Sequence, residues 1–242
     1  MWPQNSFITL TYRPEDLPQG GSLNVEHYQL FMKKLRARNT GHKIRFFHCG
    51  EYGEKLSRPH YHAILFNYDF PDKKVFSEKN GNTIYTSELL EDIWGKGFCT
   101  IGDVTFQSAA YVARYVMKKM TGEKAEEHYL NVDQYGELHK LKPEYCTMSR
   151  RPGIGKKWFD EFRGDLYPDD FVVLSDGKKY KVPKFYDDKL KELDADLHEA
   201  IKQARVERAK QHKDNNSPER LAIREKVQKA KLKLLPRELE ES

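Results

Sequence analysis

The sequence predicts an α+β fold: a mainly antiparallel central sheet flanked by helices, with a charged helical extension at the C-terminal end. Three observations predict it. Runs rich in β-formers and runs of helical period follow one another in the order βαββαβα, the layout of helices packed on a sheet. The run from Pro59 to Phe66 is almost continuously apolar, as a strand with neighbours on both sides requires. From Asp187 onward about half the residues are charged, yet Leu190, Leu193, Leu197, Ala200, Ile201 and Ala204 keep a helical stripe.

Each element has a local reason. Ser6 to Tyr12 alternates and is rich in β-formers, and Pro14, Pro18, Gly20 and Gly21 end it in a loop. Ser22 or Asn24 can cap a helix over Val25 to Arg38, where Tyr28, Leu30, Phe31 and Leu35 recur at helical spacing. Ile44 to Cys49 reads as the second strand, closed by Gly50 and Gly53, and Pro59 to Phe66 as the third. Residues 68–82 read as a turn-rich insertion, 87–94 as a short helix, 99–106 as the fourth strand and 107–120 as a second long helix. Val172 to Leu174 and Tyr180 to Val182 flank an Asp-Gly turn and suggest a hairpin. A helical pair follows, broken near Asn215 to Pro218. The expected organisation is a catalytic domain over residues 1–168, a hairpin extension over 169–186 and a charged helical tail over 187–242.

Composition narrows the function classes. A chain of 242 residues and 28.5 kDa is ample for a hydrophobic core, and a mean hydropathy of −0.84 implies a very polar surface. No apolar run approaches the roughly 18 residues of a membrane span, and the first residues lack the plan of a signal peptide, so a soluble cytoplasmic protein is expected. Cys49, Cys99 and Cys146 are scattered and odd in number, which argues against a disulfide framework or a CxxC zinc knuckle. The net charge is +5, and residues 187–242 hold 14 Lys/Arg against 13 Asp/Glu. The positive excess therefore sits in the body, where a nucleic acid would be held by local patches. With 14 Tyr and 13 Phe the chain is also rich in rings that can stack on bases or fill a core.

Three clusters can carry chemistry. His60 and His62 stand at i and i+2 on a strand, so their imidazoles share a face while Tyr61 points the other way. Two imidazoles at that spacing can hold a divalent metal if a third ligand closes the set. Glu51 is the preferred third ligand, with Glu54 and His48 as competitors. Tyr111 and Tyr115 stand at i and i+4 with Lys118 on the same helical face. A tyrosine can attack a phosphodiester if its phenolate is stabilised, by a metal or by Lys118; two core tyrosines are the bland alternative. Third, Arg150, Arg151, Lys156 and Lys157 surround a Pro/Gly-stiffened loop beside Trp158, which suits phosphate contact and base stacking. A solvated turn with Trp158 and Phe159 in the core is the alternative. Arg58, two residues before His60, could fork onto a scissile phosphate. Lys33, Lys34, Arg36, Arg38, Lys43 and Arg45 read as a solvated face.

Each motif alone is common, and the conjunction in chain order is what points further. The order of strand, Glu, His-x-His strand and helix with Tyr-x3-Tyr resembles the HUH endonucleases, whose fold is a ferredoxin-like sheet with flanking helices. Phe7-Ile8-Thr9-Leu10-Thr11-Tyr12, Cys49-Gly50-Glu51-Tyr52-Gly53, Arg58-Pro59-His60-Tyr61-His62, Tyr111-Val112-Ala113-Arg114-Tyr115 and Met148-Ser149-Arg150-Arg151-Pro152-Gly153-Ile154-Gly155 sharpen the likeness. They are similar to the replication initiators of gokushovirus-type microviruses, small single-stranded DNA phages, over about residues 7–186. The resemblance implies rolling-circle replication, begun by metal-dependent nicking of single-stranded origin DNA through a 5′-phosphotyrosine and completed by strand transfer. It implies Mg²⁺ or Mn²⁺ on His60, His62 and Glu51, and Tyr111 and Tyr115 as nucleophiles aided by Lys118. DNA contacts fall to Arg58, Arg114, Lys119, Arg150, Arg151, Lys156 and Lys157. Host helicase, single-strand-binding protein and polymerase are the implied partners, and the cytoplasm of the host bacterium the implied location. The family pattern has a cysteine-rich segment before the first strand, whereas this chain begins almost at that strand, as a shortened copy or a different start would.

Rival readings are a non-catalytic module binding single-stranded nucleic acid, and a relaxase or transposase of the same chemistry. A histidine-triad hydrolase is disfavoured, because the position where it needs a third histidine is Ile64.

Overall fold

The computed structural model describes residues 2–41, 43–53, 56–79, 81–114, 119–133, 136–174 and 177–234. They form two compact units, Met1–Ile154 and Gly155–Ser242.

The first unit is built on a seven-stranded antiparallel sheet, as the α+β expectation requires. Its strands are β1 (Asn5–Leu10), β2 (Arg45–Tyr52), β3 (Pro59–Phe66), β4 (Lys74–Lys79), β5 (Asn82–Thr86), β6 (Cys99–Gly102) and, after a small hairpin of β7 (Leu130–Val132) and β8 (Leu138–Lys140), β9 (Tyr145–Met148). Their spatial order is β4-β5-β6-β1-β3-β2-β9. The apolar run that reads as a central strand is β3, held between β1 and β2. Residues 68–82, read as an insertion, instead contribute β4 and the start of the β4–β5 hairpin, which extends the sheet. Their apolar side chains Val75 and Phe76 are exposed, so this edge carries no buried alternation to announce it. The fourth strand ends at Gly102, and α3 (Phe106–Arg114) begins where strand was expected to end. The remainder of the expected helix, 115–118, lies outside the described residues.

One face of this sheet holds the core. α1 (Val25–Arg38) buries Tyr28, Phe31, Met32 and Leu35, the i, i+3, i+4, i+7 stripe of an amphipathic helix. Asn24 caps it by accepting the Glu26 N–H at 3.0 Å, and Asn39 closes it by donating to the Leu35 carbonyl at 2.8 Å. α2 (Glu88–Trp94), capped by Ser87, adds Leu90, Ile93 and Trp94. These side chains meet Ile8, Leu10, Tyr61, Ala63, Leu65 and Ile101 from the strands. Each large side chain so buried contributes about 1.5–3 kcal/mol. Tyr61 also anchors α1, its hydroxyl contacting the Tyr12 hydroxyl and the Asn24 N–H and carbonyl, each at 2.9 Å.

The second unit comprises α5 (Lys156–Phe162), the hairpin β10 (Val172–Val173) and β11 (Lys179–Tyr180), α6 (Lys184–Leu193), α7 (Ala195–Lys210) and α8 (Pro218–Lys233); α4 (Lys124–His128) belongs to the first unit. Phe159, Leu166 and Tyr167, which the sequence grouping places within residues 1–168, pack here with Val182, Leu190 and Ile201. Arg205 bridges Asp170 and Asp187, with Nη1 donating to Asp187 at 2.7 Å. Burial acts to raise both carboxyl pKa values, but the hydrogen bonds and charge of Arg205 outweigh it and hold both below the ordinary 3.8.

Replacing Arg205 with Ala strands two nearly buried carboxylates and is expected to destabilise this unit by roughly 3 kcal/mol, read by denaturant unfolding. Because both folded-state pKa values are depressed, the stabilisation is fully present above about pH 4 and is lost as pH falls below 3.8. The R205A melting temperature should therefore converge on that of the unsubstituted chain in strong acid, and a constant gap down to about pH 2 contradicts this.

Candidate metal centre

The other face of the sheet holds the titratable cluster. Antiparallel pairing sets Glu51 of β2 opposite His60 of β3, and Cys49 opposite His62, so the strand alternation sends Glu51, His60 and His62 to one side. His60 Nε2 lies 3.0 Å and His62 Nε2 2.9 Å from the same oxygen, Glu51 Oε1. Glu51 is 1% and His62 3% exposed, whereas His60 is half-buried, so the cluster is closed below and reachable past one imidazole. Burial acts to raise the Glu51 carboxyl pKa, but hydrogen bonds from His60 and His62 and their charges win, leaving it well below the carboxylate range.

The outer nitrogens fit a metal set. His60 Nδ1 donates to the Arg58 carbonyl at 3.1 Å, and His62 Nδ1 lies 2.9 Å from the Thr9 hydroxyl of β1. A carbonyl only accepts, and so does a carboxylate oxygen. His60 thus stands between two acceptors, satisfied together only by an imidazolium or by a cation taking the place of the Nε2 proton. Orientation of each imidazole through its second nitrogen is what metal-binding histidines require. The residues present fit a divalent ion.

α3 lies over β2 and β3 on this face. Thr105 starts it by accepting the Ser108 N–H at 3.1 Å. Tyr111 is buried there, edge-on to His62 with ring centroids 5.3 Å apart and edge-on to Phe7 at 6.3 Å; Phe7 stacks on His62 at 5.6 Å.

The sequence comparisons agree with this arrangement. A family profile for replication-associated proteins of the ORF2 type matches residues 5–120, the stretch holding Glu51, His60, His62 and Tyr111. Replication-associated protein VP4 of Bdellovibrio phage phiMH2K is 34% identical over 196 residues, covering 78% of this chain and 58% of that protein. Replication-associated protein ORF2 of Spiroplasma virus 4 is 39% identical over 194 residues, covering 76% and 57%. Replication-associated protein ORF4 of Chlamydia phage 1 is 28% identical over 198 residues, covering 78% and 47%. The chain belongs to the replication-associated proteins of gokushovirus-type phages. It spans less than two thirds of the length of these relatives. No solved structure matches it. Among the described residues no helix is long and apolar enough to cross a membrane.

The structure sorts the other residues expected to serve a phage replication protein. His48, a competing ligand, lies on the opposite face, stacked on Tyr28 at 3.4 Å; burial pushes its pKa down. Glu54, Tyr115 and Lys118 lie outside the described residues, as does the side chain of Arg114. Arg58 Nη2 donates to the Tyr12 carbonyl at 2.8 Å, and its own carbonyl orients His60. Lys119 is exposed. The basic loop divides: Arg150 and Arg151 are exposed in the first unit, while Lys156 pairs with Asp160 and Lys157 is exposed in the second. Trp158 there packs on Phe162 and Tyr186, so its ring serves packing within that unit. Sequence reasoning missed Thr9; only the pairing of Thr9 with His62 across β1 and β3 reveals it.

A second group, Asp133, Glu137 and His139, closes the β7–β8 hairpin, with His139 Nε2 2.9 Å from Asp133 Oδ2. The His139 ring packs against Gly20 at φ +63°, where a Cβ would come within 2.5 Å of it. That close approach ties the hairpin to the Gln19–Gly21 turn.

Changing both His60 and His62 to Ala is expected to abolish Mn²⁺ binding in calorimetry. Thr9→Val should weaken it about 10–100-fold by releasing His62. Imidazole donors also favour Mn²⁺ over Mg²⁺. Equal Mn²⁺ affinity in the T9V and unsubstituted chains removes Thr9 from the site.

Proposed function

We propose that this chain is an HUH-type nickase that initiates rolling-circle replication by cutting single-stranded origin DNA. The observation that carries the reading is the convergence of two oriented imidazoles and a buried carboxylate beside a tyrosine. When bound, a divalent ion would supply Lewis-acid polarisation of the scissile phosphate and stabilise charge on the departing 3′ oxygen. Glu51, His60 and His62 would hold it.

The protein's own nucleophile is a phenol. The oxygen of Tyr111 or Tyr115 bonds to phosphorus, the P–O3′ bond breaks, and the freed 3′ oxygen takes up a proton. A 5′-phosphotyrosine and a 3′-OH result, and because a phosphoester is exchanged for a phosphoester, resealing needs no nucleotide. Lys118 would favour the phenolate by its charge. Tyr111 is only 4% exposed, so a strand must displace its cover to meet it. Tyr12, Tyr52 and Tyr61 suit the role poorly: all are hydrogen-bonded, and burial raises their pKa values, most of all that of Tyr12. One tyrosine can hold the parental 5′ end while the other cuts the regenerated origin. Host polymerase would extend the 3′-OH on template exposed by helicase and single-strand-binding protein.

The test is a covalent adduct on a denaturing gel after incubation with a single-stranded phage-type origin and Mn²⁺. Y111F and Y115F should each retain some single-turnover adduct and lose sustained production of circles, and the double variant should form none. An adduct surviving in the double variant moves the nucleophile elsewhere. No adduct with the unsubstituted chain, despite tight oligonucleotide binding, leaves a non-catalytic binding protein.

A further inference from the structure

At the end of β2 remote from Glu51 lies a cavity of about 540 Å³, formed where the C-terminus of α1, the first residues of β2 and the segment after β9 meet. Its lining includes Arg36, Lys43, Arg45, Arg150 and Arg151, with Ser149 among the polar groups. Among the described residues no carboxylate lies within ion-pair distance of any of the five cations.

Arg45 makes the cavity more than a basic surface. Its side chain is buried, with 4% of the residue exposed. Its Nη2 donates to the Ser149 carbonyl at 3.2 Å and to the Pro152 carbonyl, and its buried Nε–H has no partner. Burial lowers the guanidinium pKa and the nearby charge of Arg36 lowers it further, so the site lacks one negative charge. Arg36 is itself held in place, donating to the Ile44 carbonyl at 3.1 Å and lying over the Phe46 ring at 5.7 Å. A buried cation with an unused donor, surrounded by four exposed cations, is built for an anion with several oxygens.

We infer that this cavity binds a backbone phosphate of single-stranded DNA, at a point on the strand distant from the one that is cut. The inference rests on the proposed nicking function for its choice of ligand. Six strand residues separate Arg45 from Glu51, about 20 Å at the rise of a β-strand. At about 3.4 Å per stacked nucleotide, the cavity then holds a phosphate roughly six nucleotides from the scissile one. Such a second hold fixes which phosphate reaches the metal ligands, because the interval between the two contacts is set by the rigid strand β2. The arginines after β9 and those around the start of β2 thus act as one site, although more than a hundred residues separate them.

The experiment uses the full chain with a fluorescent single strand of about 20 nucleotides containing the origin, long enough to span both contacts. K43Q/R150Q/R151Q is compared with K33Q/K34Q/R38Q, which removes the same charge from exposed positions that do not line the cavity. All three cavity side chains changed are exposed, so the core is untouched. The cavity variant should lower the salt slope of binding by about 2, at roughly 0.7 per lost contact, and the control by much less. It should also shift or scatter the cleavage position, while Mn²⁺ binding in calorimetry is unchanged. Equal slopes in the two variants overturn the cavity, whether or not the unsubstituted chain forms an adduct. If pyrophosphate protects Arg150 and Arg151 from a guanidine-modifying reagent but the oligonucleotide does not, the ligand is a small anion and the DNA assignment is overturned. A lost slope in a chain that forms no adduct upholds the cavity and defeats the nicking function alone.

Discussion

The register of β2 against β3 is the constraint on which the candidate site depends. Glu51 pairs with His60, and the same register sets Cys49 opposite His62, so the carboxylate and both imidazoles leave one face. A slip of one residue would send Glu51 to the opposite side of the sheet from both histidines. What prevents the slip is the other face. Tyr61, between the two histidines, is fully buried among Ile8, Leu10 and Trp94, and its hydroxyl ties the start of α1 to Tyr12. Hydrophobic burial on one side of β3 thereby fixes the chemistry on the other.

The two faces carry different kinds of order. Toward α1 and α2 the strands present aliphatic and aromatic side chains, with His48 stacked and neutralised among them. Toward α3 they present Glu51, His60, His62, Thr9 and Phe7, each imidazole oriented through its second nitrogen. The same strand β2 runs from Arg45 at the basic cavity to Glu51 at the candidate metal centre, so a rigid element joins a phosphate-binding region to the reactive one.

The parts legible in the sequence were those with strong local causes. α1 matches its expected bounds because Asn24 caps it and the apolar stripe is clean, and β3 matches because burial on both faces leaves a continuous apolar run. The β4–β5 hairpin was not legible, since its exposed Val75 and Phe76 carry no burial signal, and β9 has four residues and no fully buried side chain. Choosing Glu51 over His48 needed the strand faces, and finding Thr9 needed the β1–β3 register. Arg36, Lys43 and Arg45 read as a solvated face because their meeting with Arg150 and Arg151 depends on β2 pairing with β9 across about a hundred residues. The basic aromatic loop shows the converse: adjacent in sequence, its arginines and lysines fall in different units, and Trp158 is used for packing.

The most direct test of the convergence of Glu51, His60 and His62 on one ion is pulsed electron paramagnetic resonance of the Mn²⁺-loaded full chain. Two imidazole nitrogens should couple to the manganese, and one coupling should vanish in H60A and one in H62A. A spectrum with no nitrogen coupling, or couplings that persist in the H60A/H62A double variant, would place the ion elsewhere and contradict the site.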